Sequence, residues 1–125
     1  MKYLLDTHAL LWYLTDDVNL SETAHSIIDT AECYFSKVSL WEIAIKQSLG
    51  KLQYKHSIPD ILDLCRQENF LNIPVTENHI ERIKTLDFIQ CDPFDRLLIA
   101  QAQCENLTLI TRDTIIPKYD VKTVW

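Results

Sequence analysis

Five carboxylates stand where their residue type could do chemistry. Asp6 ends the apolar run "KYLL", and Glu42 follows "CYFSKVSLW". Asp92 and Asp95 open "DPFDRLLIAQA", and Asp113 comes just after "LTLIT". Carboxylates gathered in one place repel each other by about 1 kcal/mol or more per close pair, even at moderate dielectric. A hard divalent cation removes that cost. All-oxygen ligation suits Mg²⁺ or Mn²⁺ and argues against zinc, which prefers Cys and His. Such a centre polarises a phosphoryl oxygen and lowers the pKa of a bound water, as phosphodiester hydrolysis requires.

Each acid also has a plain structural reading. "SLWE" (39–42) fits a capping box in which Glu42 bonds the backbone of Ser39. "DPFD" fits a helix start, with Asp92 as the cap, Pro93 in the first turn and Asp95 favoured by the helix dipole. Asp6 could cap the helix after the first strand, and Asp113 could make a turn. One cap per helix accounts for Asp92 and leaves Asp95 as a surplus.

The elements that must position these acids can be read from periodicity and punctuation. "KYLL" (2–5) is a short strand followed by a helix through Trp12. Ser21 caps a helix over 22–31, and "CYFSKV" (33–38) is the next strand. Ser39 opens a helix that stops at Gly50, the single glycine, in the position of a left-handed cap. A helix starts near Pro59, "FLNIPV" (70–75) is strand-like, and Thr76 caps a further helix. The helix from Phe94 to about Glu105 leads into "LTLIT" (107–111), and "VKTVW" (121–125) closes the chain as a strand. Strands separated by helices, without hairpin signals, imply a parallel sheet covered on both faces. In such a sheet the carboxyl ends of the strands and the N-termini of the helices share one edge, where ligands bind. Asp6, Glu42, Asp92, Asp95 and Asp113 all belong to that edge.

The 125 residues suit one domain, 1–125, with a real core. Apolar residues make up 47% and charged residues 24%, as in ordinary globular proteins. The apolar start is broken by Asp6 and His8, so it lacks the uncharged core of a signal peptide, and no run is long enough to span a membrane. Four scattered cysteines without a C-x-x-C pair read as small core residues in a reducing cytoplasm. A net charge of −6 provides no general basic field for nucleic acid. It also fits a protein that concentrates carboxylates around a cation.

"LLDTHALLW", "SLWEIAIKQSLGKL", "DPFDRLLIAQA" and "LITRD" together resemble, in order and spacing, the motifs of PIN-domain proteins, most of all the VapC-type ribonuclease toxins of toxin–antitoxin modules. The likeness runs from residue 3 to the terminal "YDVKTVW". It implies a three-layer α/β/α fold with a five-stranded parallel sheet and RNA cleavage dependent on Mg²⁺ or Mn²⁺. It also implies a homodimer and a cognate antitoxin. The resemblance places the family's four acids on Asp6, Glu42, Asp95 and Asp113, with Ala100 and Ala102 fixing the register at Asp95, so Asp92 is left as the helix cap.

Around these acids, Thr7 and Thr111 are placed to orient two of them. Lys46 reads as an i,i+4 partner of Glu42 or as a phosphate contact. Arg96 and Arg112, each next to an acid, are the stronger phosphate candidates. His8 reads as positional, and Trp12, Trp41 and Trp125 as core or interface. Two other readings compete. A phospho-accepting receiver domain needs paired acids after the first strand and a lysine after the last, which this chain lacks. A catalytically idle PIN-like module would bind RNA or a partner without cleaving, and retention of the acids speaks against it.

Overall fold

The computed structural model describes all 125 residues. In chain order its elements are β1 (Lys2–Leu5), α1 (Thr7–Leu14), α2 (Glu22–Thr30), β2 (Glu32–Ser36), α3 (Lys37–Ser48) and α4 (Ile58–Gln67). They continue with β3 (Leu71–Ile73), α5 (Glu77–Ile83), α6 (Pro93–Glu105), β4 (Thr108–Ile110), a 3-10 turn at Ile116–Lys118 and β5 (Thr123–Val124). The five strands form one sheet in the order β3-β2-β1-β4-β5, and every pairing is parallel. The expected α/β fold with a five-stranded parallel sheet is therefore present.

Successive strand residues point to opposite faces, and both faces are apolar. Leu5, Phe35 and Ile110 pack with Ala9, Leu10, Ile28, Ile43 and Ile61 on the side of α1 to α4. Leu4, Ile73 and Leu109 pack with Leu98, Ile99 and Ala102 of α6 on the other. The adjacent pairs Leu4/Leu5 and Leu109/Ile110 are fully buried, as strands covered on both faces require. From β1 the chain winds outward to β3 and then returns through α5 and α6 to β4, on the opposite flank of β1. The reversal opens a crevice at the carboxyl ends of β1 and β4. The Asp6 amide ties its rim by donating to the carbonyl of Ile110 at 3.1 Å.

One boundary differs in a way that matters for the site. The strand expected over 33–38 ends at Ser36, whose hydroxyl accepts from the Val38 amide at 3.2 Å and caps α3. Lys37 and Val38, expected as strand, are helical because β2 stops pairing with β3 at Ser36, whose hydroxyl then caps the helix. Ser39 is consequently no cap: it lies inside α3, fully buried, and Glu42 falls in the second turn. Ser36→Ala should therefore cost about 0.5–2 kcal/mol in urea unfolding, whereas a Ser39-based cap predicts no such loss at position 36. At its far end α3 closes as read, with Gly50 at φ +68° donating to Gln47 and the Lys51 amide reaching back to Lys46.

Two of the cysteines expected in the core are there, Cys33 and Cys65. Cys91 is exposed in the segment before α6, and Cys104 is half-buried in the last turn of α6. No helix is long and apolar enough to cross a membrane.

Candidate active site

A cavity of about 360 Å³ opens at the carboxyl edge of the sheet, lined by Asp6, Thr7, His8, Trp12, Glu42, Lys46, Asp92, Asp95, Arg112 and Asp113. Five carboxylates share it with the basic side chains of Lys46 and Arg112.

Asp6 leaves β1 in extended geometry and caps α1, its Oδ1 accepting from the Ala9 amide at 2.8 Å. Burial drives the Asp6 carboxyl above its ordinary range, and hydrogen bonds from the Thr111 hydroxyl and the Ala9 amide oppose that rise. Its capping role and its place in the cavity coexist, since the amide occupies one oxygen only.

Glu42 is almost fully buried and is gripped from two sides. Thr7 Oγ1 donates to Glu42 Oε1 at 2.7 Å and lies 2.9 Å from Ser39 Oγ, whose own proton completes the relay by donating to Thr7. Lys46, one turn along α3, meets Glu42 Oε2 at 2.8 Å. Glu42 thus makes no capping box with Ser39. The helix start at Ser36 turns Ser39 and Glu42 together toward α1.

At the mouth of α6, Asp92 is the cap: its Oδ1 accepts from the amides of Phe94 at 2.9 Å and Asp95 at 3.2 Å. Asp95 has no such duty. Burial first, then the negative charges of Asp92, Asp6, Glu42 and Asp113, push its carboxyl up to about 7. Asp113 uses Oδ1 to accept from Ile115 at 2.6 Å and Ile116 at 3.1 Å, closing the turn after β4, while its own amide donates to Thr111 Oγ1.

The acids share one cavity, yet no three of them close into a ready ligand cluster. Backbone and side-chain donors hold Asp6, Glu42 and Asp113 at their separate stations, and mutual repulsion favours that spacing.

Arg96 lies elsewhere. It is buried, donating to the carbonyls of Asp87 at 3.0 Å and Ile83 at 3.4 Å and to Tyr119 Oη at 3.2 Å, with Phe88 stacked on it at 4.5 Å. One step along a helix rotates a side chain by about 100°, which turns Arg96 away from Asp95 and into its buried partners, so it is not available to a phosphate. Arg112 does line the cavity. Trp12 and His8 also line it, although sequence reasoning gave them core and positional roles. The available signal was their i,i+4 spacing directly after Asp6, which puts both on the face of α1 that meets the crevice. Trp41 is exposed, with its edge against Phe94.

A PIN-domain family model matches residues 3–122. The chain belongs to the PIN-domain family. No curated protein matches the sequence. Among solved structures, the PIN domain is similar to a chain of VapBC2 from Rickettsia felis, which was solved bound to a DNA fragment from its promoter. The TM-score is 0.73 at 16% identity, covering 99% of this chain and 98% of that one. It is similar to FitAcB from Neisseria gonorrhoeae, with a TM-score of 0.67 at 19% identity over 100% of this chain and 97% of the other. It is also similar to a toxin–antitoxin complex from Klebsiella pneumoniae, with a TM-score of 0.64 at 18% identity over 98% and 96%. At these identities the likenesses establish a shared fold. The PIN domain of this chain sets its five acids at the crevice between β1 and β4, where that fold reverses direction.

Proposed function

We propose that this PIN domain is an endoribonuclease dependent on Mg²⁺ or Mn²⁺ and acts in the cytoplasm as the toxin of a toxin–antitoxin pair. The observation that carries the reading is the Asp95 carboxyl. It caps nothing, and burial, with the charges of four other acids added, pushes its pKa up to about 7. A site built to destabilise its own carboxylates is matched by a cation that relieves them. The donors are all oxygen, which suits Mg²⁺ or Mn²⁺.

Asp6, Glu42, Asp95 and Asp113 are the residues that would hold the ion, and its charge supplies the phosphoryl polarisation and water activation that hydrolysis needs. Mg²⁺ keeps several waters and takes few direct carboxylates, so spaced acids suit it better than a closed cage. The chain's own residues do the positioning. Thr7 and Lys46 fix both oxygens of Glu42, Ala9 fixes Asp6, and Asp92 sets the α6 terminus so that Asp95 projects into the cavity.

Partners follow from the same reading: an RNA substrate, a homodimer, and an antitoxin protein that covers the cavity. The VapBC and toxin–antitoxin complexes among the structural neighbours support it. The alternative, a catalytically idle PIN module that binds RNA or a partner, draws on the lack of a closed ligand cluster. Two measurements decide. Purified protein should cleave total RNA with Mn²⁺ or Mg²⁺ and stop in EDTA, and its expression alone should arrest growth. Intact RNA under all metal conditions would leave the idle module as the better description.

A further inference from the structure

Opposite the carboxylates, the cavity wall carries a different chemistry. The Arg112 guanidinium carbon lies 4.7 Å from the Trp12 ring centroid, and Arg112 Nη1 donates to Asn19 Oδ1 at 3.2 Å. The His8 ring stacks on the same indole, with centroids 5.2 Å apart and planes 29° from parallel. Trp125 fixes that indole by edge contact at 5.8 Å. Lys46 is committed to Glu42. Arg112 stands in a cavity with five acids and is held by an aromatic face and an amide oxygen, both neutral. It is the one cation of the cavity not committed to an acid. Stacking on Trp12 and the Asn19 contact restrain a side chain that would otherwise sample many rotamers, so little freedom remains to be lost when it meets an anion.

We propose that Arg112 and the Trp12–His8 stack grip one unpaired nucleotide of the RNA beside the bond to be cut, with the guanidinium on a phosphate and the base against the exposed His8 ring. The proposal rests on the nuclease reading and specifies its substrate class. A guanidinium presents a planar fork that matches two phosphate oxygens. Imidazole and indole rings serve as stacking platforms for splayed bases, whereas a duplex keeps its base faces hidden inside. RNA entering a cavity rich in carboxylates also needs a positive handhold besides the ion, and only Arg112 offers one.

The test uses the intact protein with Ca²⁺ as an oxygen-seeking divalent ion, a labelled single-stranded RNA oligonucleotide and its duplex, read by fluorescence anisotropy. Mn²⁺ titration calorimetry and cleavage kinetics run alongside. Wild-type protein should prefer the single strand. Arg112→Ala should weaken that binding about tenfold or more and raise KM more than it lowers kcat, with Mn²⁺ affinity no weaker. Arg112→Lys should recover only part, because a point charge lacks the fork. His8→Ala, at an exposed position, should weaken single-strand binding by roughly five- to a hundredfold, the range of one lost base stack, and narrow the preference over duplex. Trp12→Phe keeps an aromatic face against Trp125 and should fall between His8→Ala and wild type. Unchanged RNA affinity and KM in Arg112→Ala and His8→Ala, in a protein that still cleaves RNA, would overturn the grip and leave the nuclease reading intact. A wild-type protein that binds Mn²⁺ but no RNA would overturn both.

Discussion

Asp95→Asn should lose RNA cleavage by orders of magnitude while Asp92→Asn, three residues away, keeps most of it. Asparagine caps a helix about as well as aspartate, so the Asp92 variant still accepts from the amides of Phe94 and Asp95. At position 95 nothing is capped, and the exchange removes only negative charge from the cavity. Asp6→Asn and Glu42→Gln belong with Asp95→Asn. The amide oxygen introduced by Asp6→Asn can still accept from Ala9, and the one introduced by Glu42→Gln can still accept from Thr7, so both variants should fold. Thermal melts in EDTA establish folding, and cleavage of total RNA in Mg²⁺ or Mn²⁺ measures function. Full activity in Asp6→Asn or Asp95→Asn would defeat the metal reading. An inactive Asp92→Asn would move the ligand from 95 to 92.

The second large effect concerns pH in the absence of divalent ions. The Asp95 carboxyl rises from 3.8 to about 7 on folding, so the folded state binds its proton more tightly than the unfolded chain does. Ionisation therefore costs folding free energy. The cost is absent below about pH 4, grows between pH 4 and 7, and is complete above 7. At 1.36 kcal/mol per pKa unit it is at most about 4 kcal/mol, and less because solvent reaches the cavity. Asp6 adds in the same direction. Melts in EDTA from pH 5 to 8.5 should show wild-type Tm falling relative to Asp95→Asn, by several degrees at the alkaline end. Excess Mn²⁺ should abolish the difference or reverse it. Parallel pH curves for the two proteins in EDTA would mean that neither burial nor the neighbouring acids raise the Asp95 carboxyl.

Much of this was legible in the chain. Strand and helix alternate with clear punctuation, so the sequence alone places Ser21, Thr76, Asp92 and Gly50 at helix termini. Local hydrogen-bonding chemistry decides such positions. The start of α3 was not legible, because Ser36 and Ser39 offer the same cap three residues apart. The choice falls to where β2 stops pairing with β3, and that is a tertiary fact. Arg96 and Arg112 looked alike in sequence, each beside an acid. Arg96 sits on a helix whose rotation carries it inward to Tyr119, whereas Arg112 sits on a loop that faces the crevice. Trp12 read as core because half of it is: one edge meets Trp125 and the core while its faces serve the cavity.

The order β3-β2-β1-β4-β5 has a consequence for the ribosome. The first strand made is the central one, and its partner β4 lies over a hundred residues downstream. Synthesis delivers the N-terminal part first, so "KYLL" and Asp6 emerge long before the flank that completes their crevice. Asp95 cannot join Asp6 before residue 95 of the 125 has been made, nor Asp113 before residue 113. Pairing across so long a separation carries a large loop-closure cost and folds slowly. The acids of the crevice therefore cannot assemble until β4 has left the ribosome and paired with β1.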